Sequence, residues 1–107
     1  VRDIIREFLQ DREAEEWPYW SDDPVVKAPN QLPVTTYRTG DRLLLIIGNM
    51  GEADDFSLEL DLARLKAAGI VRATNLETKE PAASEEGSIG ISMKRRDLAL
   101  LEVVLKR

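Results

Sequence analysis

The sequence contains no cysteine and no histidine among its 107 residues. Without cysteine the chain forms no disulfide and no thiolate metal site. Without histidine it lacks the commonest general base and the commonest metal ligand, and a Ser-His-Asp triad is impossible. Several common catalytic and metal chemistries are therefore excluded before any motif is considered.

Positive charge is also scarce, since 15 Lys and Arg face 20 Asp and Glu and the net charge is −5. The only basic cluster is the three-residue run Lys94-Arg95-Arg96. Because neutralising phosphates supplies most nucleic-acid affinity, nucleic acid is not an expected partner. The longest apolar run, residues 43–47, is far shorter than the roughly 20 residues that span a bilayer, so no membrane partner is expected either.

The acidic residues offer no convincing catalytic or metal site. Glycoside hydrolysis needs two carboxyl groups roughly 5–10 Å apart across the bond, whereas Asp22-Asp23, Asp54-Asp55 and Glu85-Glu86 are adjacent residues in predicted loops. Residues 49–55 are rich in oxygen ligands but lack the spacing of a calcium-binding loop. The glycines of residues 87–90 are not followed by the lysine or helix start of a phosphate loop. We therefore predict no catalytic residue, metal or cofactor in this chain.

The N-terminal residues have the apolar spacing of an amphipathic helix. Apolar side chains recur at i, i+3, i+4, i+7 and i+8, which predicts a helix over residues 2–15 that ends before Pro18. This stripe consists of Val1, Ile4, Ile5, Phe8 and Leu9. It is buried either on this domain or, as the last helix of a preceding domain, on that one. In an isolated chain, burial against a second copy would give a homodimer.

The remainder of the chain has the pattern of short strands. The prolines of residues 21–33 indicate a linker, and residues 43–47 predict a central strand that is buried on both faces. Residues 56–62 alternate apolar and polar side chains, which indicates a strand with one buried face. Residues 63–68 predict a helical turn that Gly69 ends.

Together these patterns predict a mainly β fold, a small antiparallel β-sandwich with one N-terminal amphipathic helix. The predicted units are residues 1–16 (N-terminal helix, alternatively the last helix of a preceding domain), residues 17–33 (aromatic and proline-rich linker) and residues 34–107 (sandwich).

Three of the six aromatic residues lie in the stretch Trp17-Pro18-Tyr19-Trp20. Exposed and coplanar, Trp17, Tyr19 and Trp20 would form a platform that stacks on sugar rings. Packed, they would seal a seam between domains. If Pro18 holds the chain extended, Tyr19 and Trp20 point in different directions, which favours the packing interpretation.

A family resemblance rests on the order of several segments. The aromatic stretch precedes residues 22–27, and residues 37–49, 75–80 and 96–103 follow. In this order the chain resembles the C-terminal all-β domain of large bacterial glycoside-hydrolase-like proteins, whose catalytic α/β barrel ends in a helix. The sequence differs from this family at Lys79, because the corresponding turns more often carry glycine. A lysine there must adopt a left-handed conformation, or the turn differs in type.

The resemblance implies a non-catalytic module of a protein of carbohydrate metabolism, with the acid and base carboxylates in the barrel. It implies that the module packs against the catalytic domain of the same polypeptide, through the N-terminal stripe and the aromatic stretch. Two alternatives remain open. One is a carbohydrate-binding module that uses Trp17, Tyr19 and Trp20, and the other is a free-standing adaptor whose helix binds a protein partner.

Overall fold

The computed structural model describes residues 15–107, which form nine strands and one short helix. The strands are β1 (Glu15–Trp17), β2 (Val26–Lys27), β3 (Val34–Thr39), β4 (Arg42–Gly48), β5 (Asp54–Leu60), β6 (Gly69–Asn75), β7 (Pro81–Glu85), β8 (Ser88–Met93) and β9 (Leu98–Lys106), and the helix is α1 (Leu62–Leu65).

All nine strands belong to one antiparallel sheet in the order β1-β3-β4-β9-β6-β7-β8-β5-β2. The sheet curls into a half barrel, so that residues from both of its halves share one hydrophobic core. The prediction of a mainly β, antiparallel fold is confirmed. The two halves are joined where β6 pairs with β7, at Ala73↔Ala82 and Thr74↔Pro81.

The strand β4 is buried on both of its faces, as its uniform apolar run predicts. The side chains of Leu43, Leu45 and Ile47 belong to the core, whereas the side chain of Leu44, which alternates with them, points to the opposite face of the sheet. Leu44 is nevertheless completely buried. Its neighbour β9 has the same arrangement, since Leu100 is completely buried outside the core cluster.

Three strands lie where the sequence pattern predicts none. Glu15, the last residue of the predicted N-terminal helix, begins β1, and the rest of that helix lies outside the described residues. β1 forms because Trp17 pairs with Thr36 and packs against the core. The strand β2 lies within the predicted linker and buries Val26. The strand β7 includes Glu85 of a predicted loop, and its alanines and serine carry little strand propensity.

The helix α1 ends earlier than Gly69 predicts. Asp61 caps its N-terminus by accepting a hydrogen bond from the backbone N–H of Arg64 at 3.2 Å. Its C-cap is Lys66, which adopts the left-handed conformation at φ 54°. Gly69 is instead the first residue of β6, so a lysine provides the cap for which the sequence favours glycine.

The turn before β7 accommodates Lys79 at a position that favours glycine. Lys79 adopts the left-handed conformation at φ 65°, and its N–H donates to the carbonyl of Asn75 at 2.8 Å. The Asn75 side chain accepts from the N–H groups of Glu77 and Thr78 at 2.9 and 3.2 Å. These local bonds hold the turn with a lysine in the left-handed conformation that glycine adopts more readily.

The turn between β7 and β8 supplies a stability prediction. Glu86 and Gly87 both have positive φ, 46° and 90°, the pattern of a type I′ turn, in which Asn-Gly is the favoured pair. We expect Glu86→Asn to raise the free energy of unfolding by about 0.5 kcal/mol, because asparagine tolerates this conformation better than glutamate. Urea unfolding measures the gain. Glu85→Asn, in the adjacent strand position, is the control and should give none; equal effects of the two would contradict the prediction.

Candidate functional site

An apolar groove of about 820 Å³ lies where the edge strand β2 approaches β3. Because these strands lie near opposite ends of the sheet order, the groove exists only through the curl of the sheet. Its walls include three prolines and six further residues that matter for its chemistry: Tyr19, Val26, Lys27, Leu32, Val34 and Met50. We call this feature the apolar groove.

Backbone hydrogen bonds hold the wall formed by residues 29–33. The N–H of Leu32 donates to the carbonyl of Pro29 at 2.9 Å, and the N–H of Gly48 donates to that of Pro33 at 3.1 Å. The N–H of Met50 donates to the carbonyl of Gln31 at 2.8 Å, which fixes the position of Met50 on the rim. Since proline has a fixed φ, this wall loses little conformational freedom when something binds.

The aromatic stretch divides between the core and the rim of the groove. Trp17 is half-buried and packs against the core, whereas Tyr19 and Trp20 are 62% and 68% exposed. The rings of Tyr19 and Trp20 are 4.9 Å apart between centroids and meet edge to face at 89°. The two exposed rings therefore share no plane, and the three predicted platform residues do not lie on one surface.

The rim is anchored at Asn49, which is 1% exposed. Its side-chain oxygen accepts from Gln31 Nε2 and from the N–H of Gly51, each at 3.0 Å. Its side-chain nitrogen donates to the carbonyls of Glu52 at 3.1 Å and Lys94 at 2.9 Å. The residue that begins the oxygen-rich segment thus joins the loops before β3, β5 and β9 with all of its polar atoms engaged by the protein.

The paired carboxylates are distributed over separate elements. Asp23 forms an ion pair with Arg64 of α1 at 2.9 Å, and Asp55 on β5 accepts a hydrogen bond from the Ser92 hydroxyl. Glu85 ends β7. Within residues 15–107, no group of three or more Asp and Glu residues is placed to hold a metal ion.

The electrostatics of the groove are simple, since Lys27 is the one charged side chain among its described lining residues. Two perturbed groups lie away from it. Burial raises the pKa of Tyr37, and the carboxylate of Glu16 raises this pKa further. A hydrogen bond and the charge of Asp41 raise the pKa of Arg107. Neither Tyr37 nor Arg107 lines the groove, whose chemistry is therefore that of apolar contact.

Sequence reasoning identified the aromatic side of the groove and missed the rest. Tyr19 and Trp20 were marked by composition alone, but Leu32, Val34 and Met50 carried no local signal. From the sequence, the three prolines predict only a linker, because proline occurs in irregular segments of any kind. Only sheet closure brings these segments together.

Comparisons of this chain with protein-family models, with curated proteins and with solved structures find no match. Among residues 15–107, the longest helix is far too short to cross a bilayer. A proposal for the function therefore has to rest on the geometry of the apolar groove and on the resemblance of the sequence.

Proposed function

We propose that this chain is a non-catalytic C-terminal β-sandwich module of a glycoside-hydrolase-like protein, and that it packs against the catalytic α/β barrel through the apolar groove. One observation carries the proposal. Among residues 15–107, five large apolar side chains are well exposed; two of them, Tyr19 and Met50, line this groove, and a third, Trp20, packs edge to face against Tyr19. A cluster of this kind is typical of an interaction surface.

The composition of the groove supports a protein partner. Aromatic residues and methionine are enriched in protein interfaces, and charged residues are depleted from their centres. Tyr19 and Met50 line a concave surface on which Lys27 is the charged residue. An apolar side chain of a partner would displace water from this surface without desolvating a carboxylate.

The choice of a barrel as the partner comes from the resemblance, and the location of the groove is compatible with it. Tyr19 and Trp20 lie two and three residues beyond β1, close to the point where the chain enters the sheet. A domain joined to this end of the chain would meet the aromatic rim first. In this proposal the two facing halves of the curled sheet act as the two layers of the sandwich.

Carbohydrate binding is the second candidate, and the exposure of Tyr19 and Trp20 favours it. Aromatic rings stack on the apolar faces of sugars, and Asn30 and Lys27 offer hydrogen bonds within the groove. Because the two rings are perpendicular, they would contact different sugar units of a chain rather than one ring.

Tryptophan fluorescence distinguishes the two candidates. In the Trp17→Phe variant, emission reports on the exposed Trp20 alone, because the chain has no third tryptophan. We expect red-shifted emission that acrylamide quenches readily. Adding the separately expressed barrel domain of the same polypeptide should shift this emission to the blue and protect it, whereas soluble polysaccharides and oligosaccharides should leave it unchanged.

Matched variants locate the effect. In the same background, Met50→Ala should weaken the response to the barrel, whereas Val71→Ala, which truncates a residue 55% exposed on β6, should not. A saturable change with one glycan would replace the proposal by carbohydrate binding. If the polypeptide has no barrel, or if its barrel leaves Trp20 unaffected, the proposal is wrong.

A further inference from the structure

A second cavity, of about 670 Å³, lies where the β3–β4 turn approaches the C-terminal end of α1. Its lining is mainly charged, in contrast to that of the apolar groove, and the two sites share no lining residue. Four cations and two carboxylates line it: Arg38, Arg64, Lys66, Arg107, Glu15 and Asp41. We call this feature the basic cavity.

The local charge of the basic cavity is opposite to that of the whole chain. Its lining has two more cations than carboxylates, whereas the chain carries a net charge of −5. The four cations belong to β3, to α1, to the C-cap of α1 and to the residue after β9, so they form no basic run in the sequence. The fold therefore gathers positive charge that the sequence distributes.

The guanidinium of Arg38 is held in place without a carboxylate. Its Nε donates to the carbonyl of Gly40 at 3.0 Å, and its Nη2 donates to the carbonyl of Leu65 at 2.8 Å. Because both acceptors are neutral, these bonds orient the side chain and leave its positive charge uncompensated. They use two of the five N–H donors of a guanidinium, so the other donors are available to a ligand.

The other three cations also have donors to spare. Arg107 contacts Asp41 through Nε, at 2.7–2.8 Å, and Arg64 contacts Asp23 through Nη1 at 2.9 Å. Lys66 is exposed, and its ammonium group forms no ion pair among residues 15–107. The basic cavity is thus lined by cations whose hydrogen-bonding capacity the protein uses only in part.

We propose that the basic cavity binds the phosphate group of a small phosphorylated molecule. One arginine can satisfy a carboxylate, whereas a phosphate monoester carries up to two negative charges and three acceptor oxygens, which suits several converging cations. Small-ligand sites measure roughly 300–1,000 Å³, so a cavity of about 670 Å³ has room for an organic group beside the phosphate. Because this cavity and the apolar groove share no residue, the proposal does not depend on the proposed function.

NMR titration of the ¹⁵N-labelled full chain tests the proposal at low ionic strength, where exposed charges are least screened. The probes are inorganic phosphate, a hexose monophosphate, the free hexose and acetate. We expect both phosphates to give saturable shifts of the amides of Gly40, Asp41 and Lys66, and the hexose and acetate to give none. Equal responses to acetate and phosphate, or no saturable response to the monophosphate, would overturn the proposal.

Matched variants locate the binding. Lys66→Asn removes one cation and keeps a residue that tolerates the left-handed conformation at φ 54°, so it should weaken phosphate binding about fivefold. Lys79→Asn makes the same change at φ 65°, outside the lining of the basic cavity, and should change the affinity by less than about twofold. Equal weakening in the two variants would show a response to net charge alone and would overturn the proposal.

Glu15 provides a test of opposite sign. This exposed carboxylate lines the basic cavity and forms no ion pair among residues 15–107, so it repels a bound anion. Glu15→Gln should tighten phosphate binding about threefold, whereas Glu77→Gln, at an exposed residue of the turn before β7, should leave the affinity unchanged. Weaker binding in Glu15→Gln, or equal effects of the two variants, would contradict the placement of phosphate in this cavity.

Discussion

Replacing Leu44 with alanine is expected to lower the free energy of unfolding about as much as replacing Leu45, by roughly 3 kcal/mol in each case. The two residues are adjacent on β4 and point to opposite faces of the sheet, yet both are completely buried. Each substitution removes the same three carbon atoms and leaves a cavity. The comparison therefore measures whether the face of β4 that points away from the core is as well packed as the core.

Urea unfolding provides the measurement, and the variants are compared only if their m-values agree. Met50→Ala is the control. Met50 is 78% exposed, so its truncation should change stability by less than about 0.5 kcal/mol. If Leu44→Ala were as mild as Met50→Ala while Leu45→Ala remained costly, the face of β4 that points away from the core would be open to water.

Replacing Asn49 with alanine is expected to lower the free energy of unfolding by about 3 kcal/mol, as much as truncating a core side chain, although it removes only a polar side chain. Its amide forms four hydrogen bonds of 2.9–3.1 Å while 1% exposed. Alanine would leave the carbonyl of Lys94 and the N–H of Gly51 without these partners, and an unsatisfied buried polar group costs about 1–3 kcal/mol. Chemical unfolding measures the loss.

Two further variants test the explanation. Asn49→Asp keeps the shape of the side chain but replaces its two N–H donors by an acceptor that faces carbonyl oxygens, so it should be nearly as destabilising as alanine. Asn30→Ala, at an exposed asparagine on the rim of the groove, should be neutral within about 0.5 kcal/mol. A mild Asn49→Asp would show that acceptance from Gln31 and Gly51 is the dominant contribution.

The strands with strong local patterns could be predicted from the sequence. The apolar run of β4 indicates a strand buried on two faces, and the strict alternation of β5 indicates a strand buried on one face. In both strands the signal lies in the residues of the strand itself. The short strands β1 and β2 and the polar strand β7 have no such pattern. They pair because a neighbouring edge is available, and an edge is a property of the folded sheet rather than of a local segment.

The candidate site divides in the same way. Tyr19 and Trp20 stand out because aromatic residues are rare in this chain, but Pro18 does not hold them apart on an extended chain: the N–H of Ser21 donates to the carbonyl of Pro18 in a turn, and the two rings meet edge to face. Met50 and Leu32 are far from them in sequence and join them only when the sheet curls. No periodicity within a window of a few residues could have indicated that contact.

By itself, the sequence determined the mainly β class, the two-sided burial of β4 and the exclusion of cysteine and histidine chemistry, because each depends on residue type or on the pattern of neighbouring residues. The tertiary structure alone decided the single curled sheet, the hydrogen bonds by which Asn49 joins three loops, and the apolar groove. The physical reason is that hydrogen bonds between strands and contacts across the groove join residues distant in sequence. Their geometry is defined only once the sheet closes around its core.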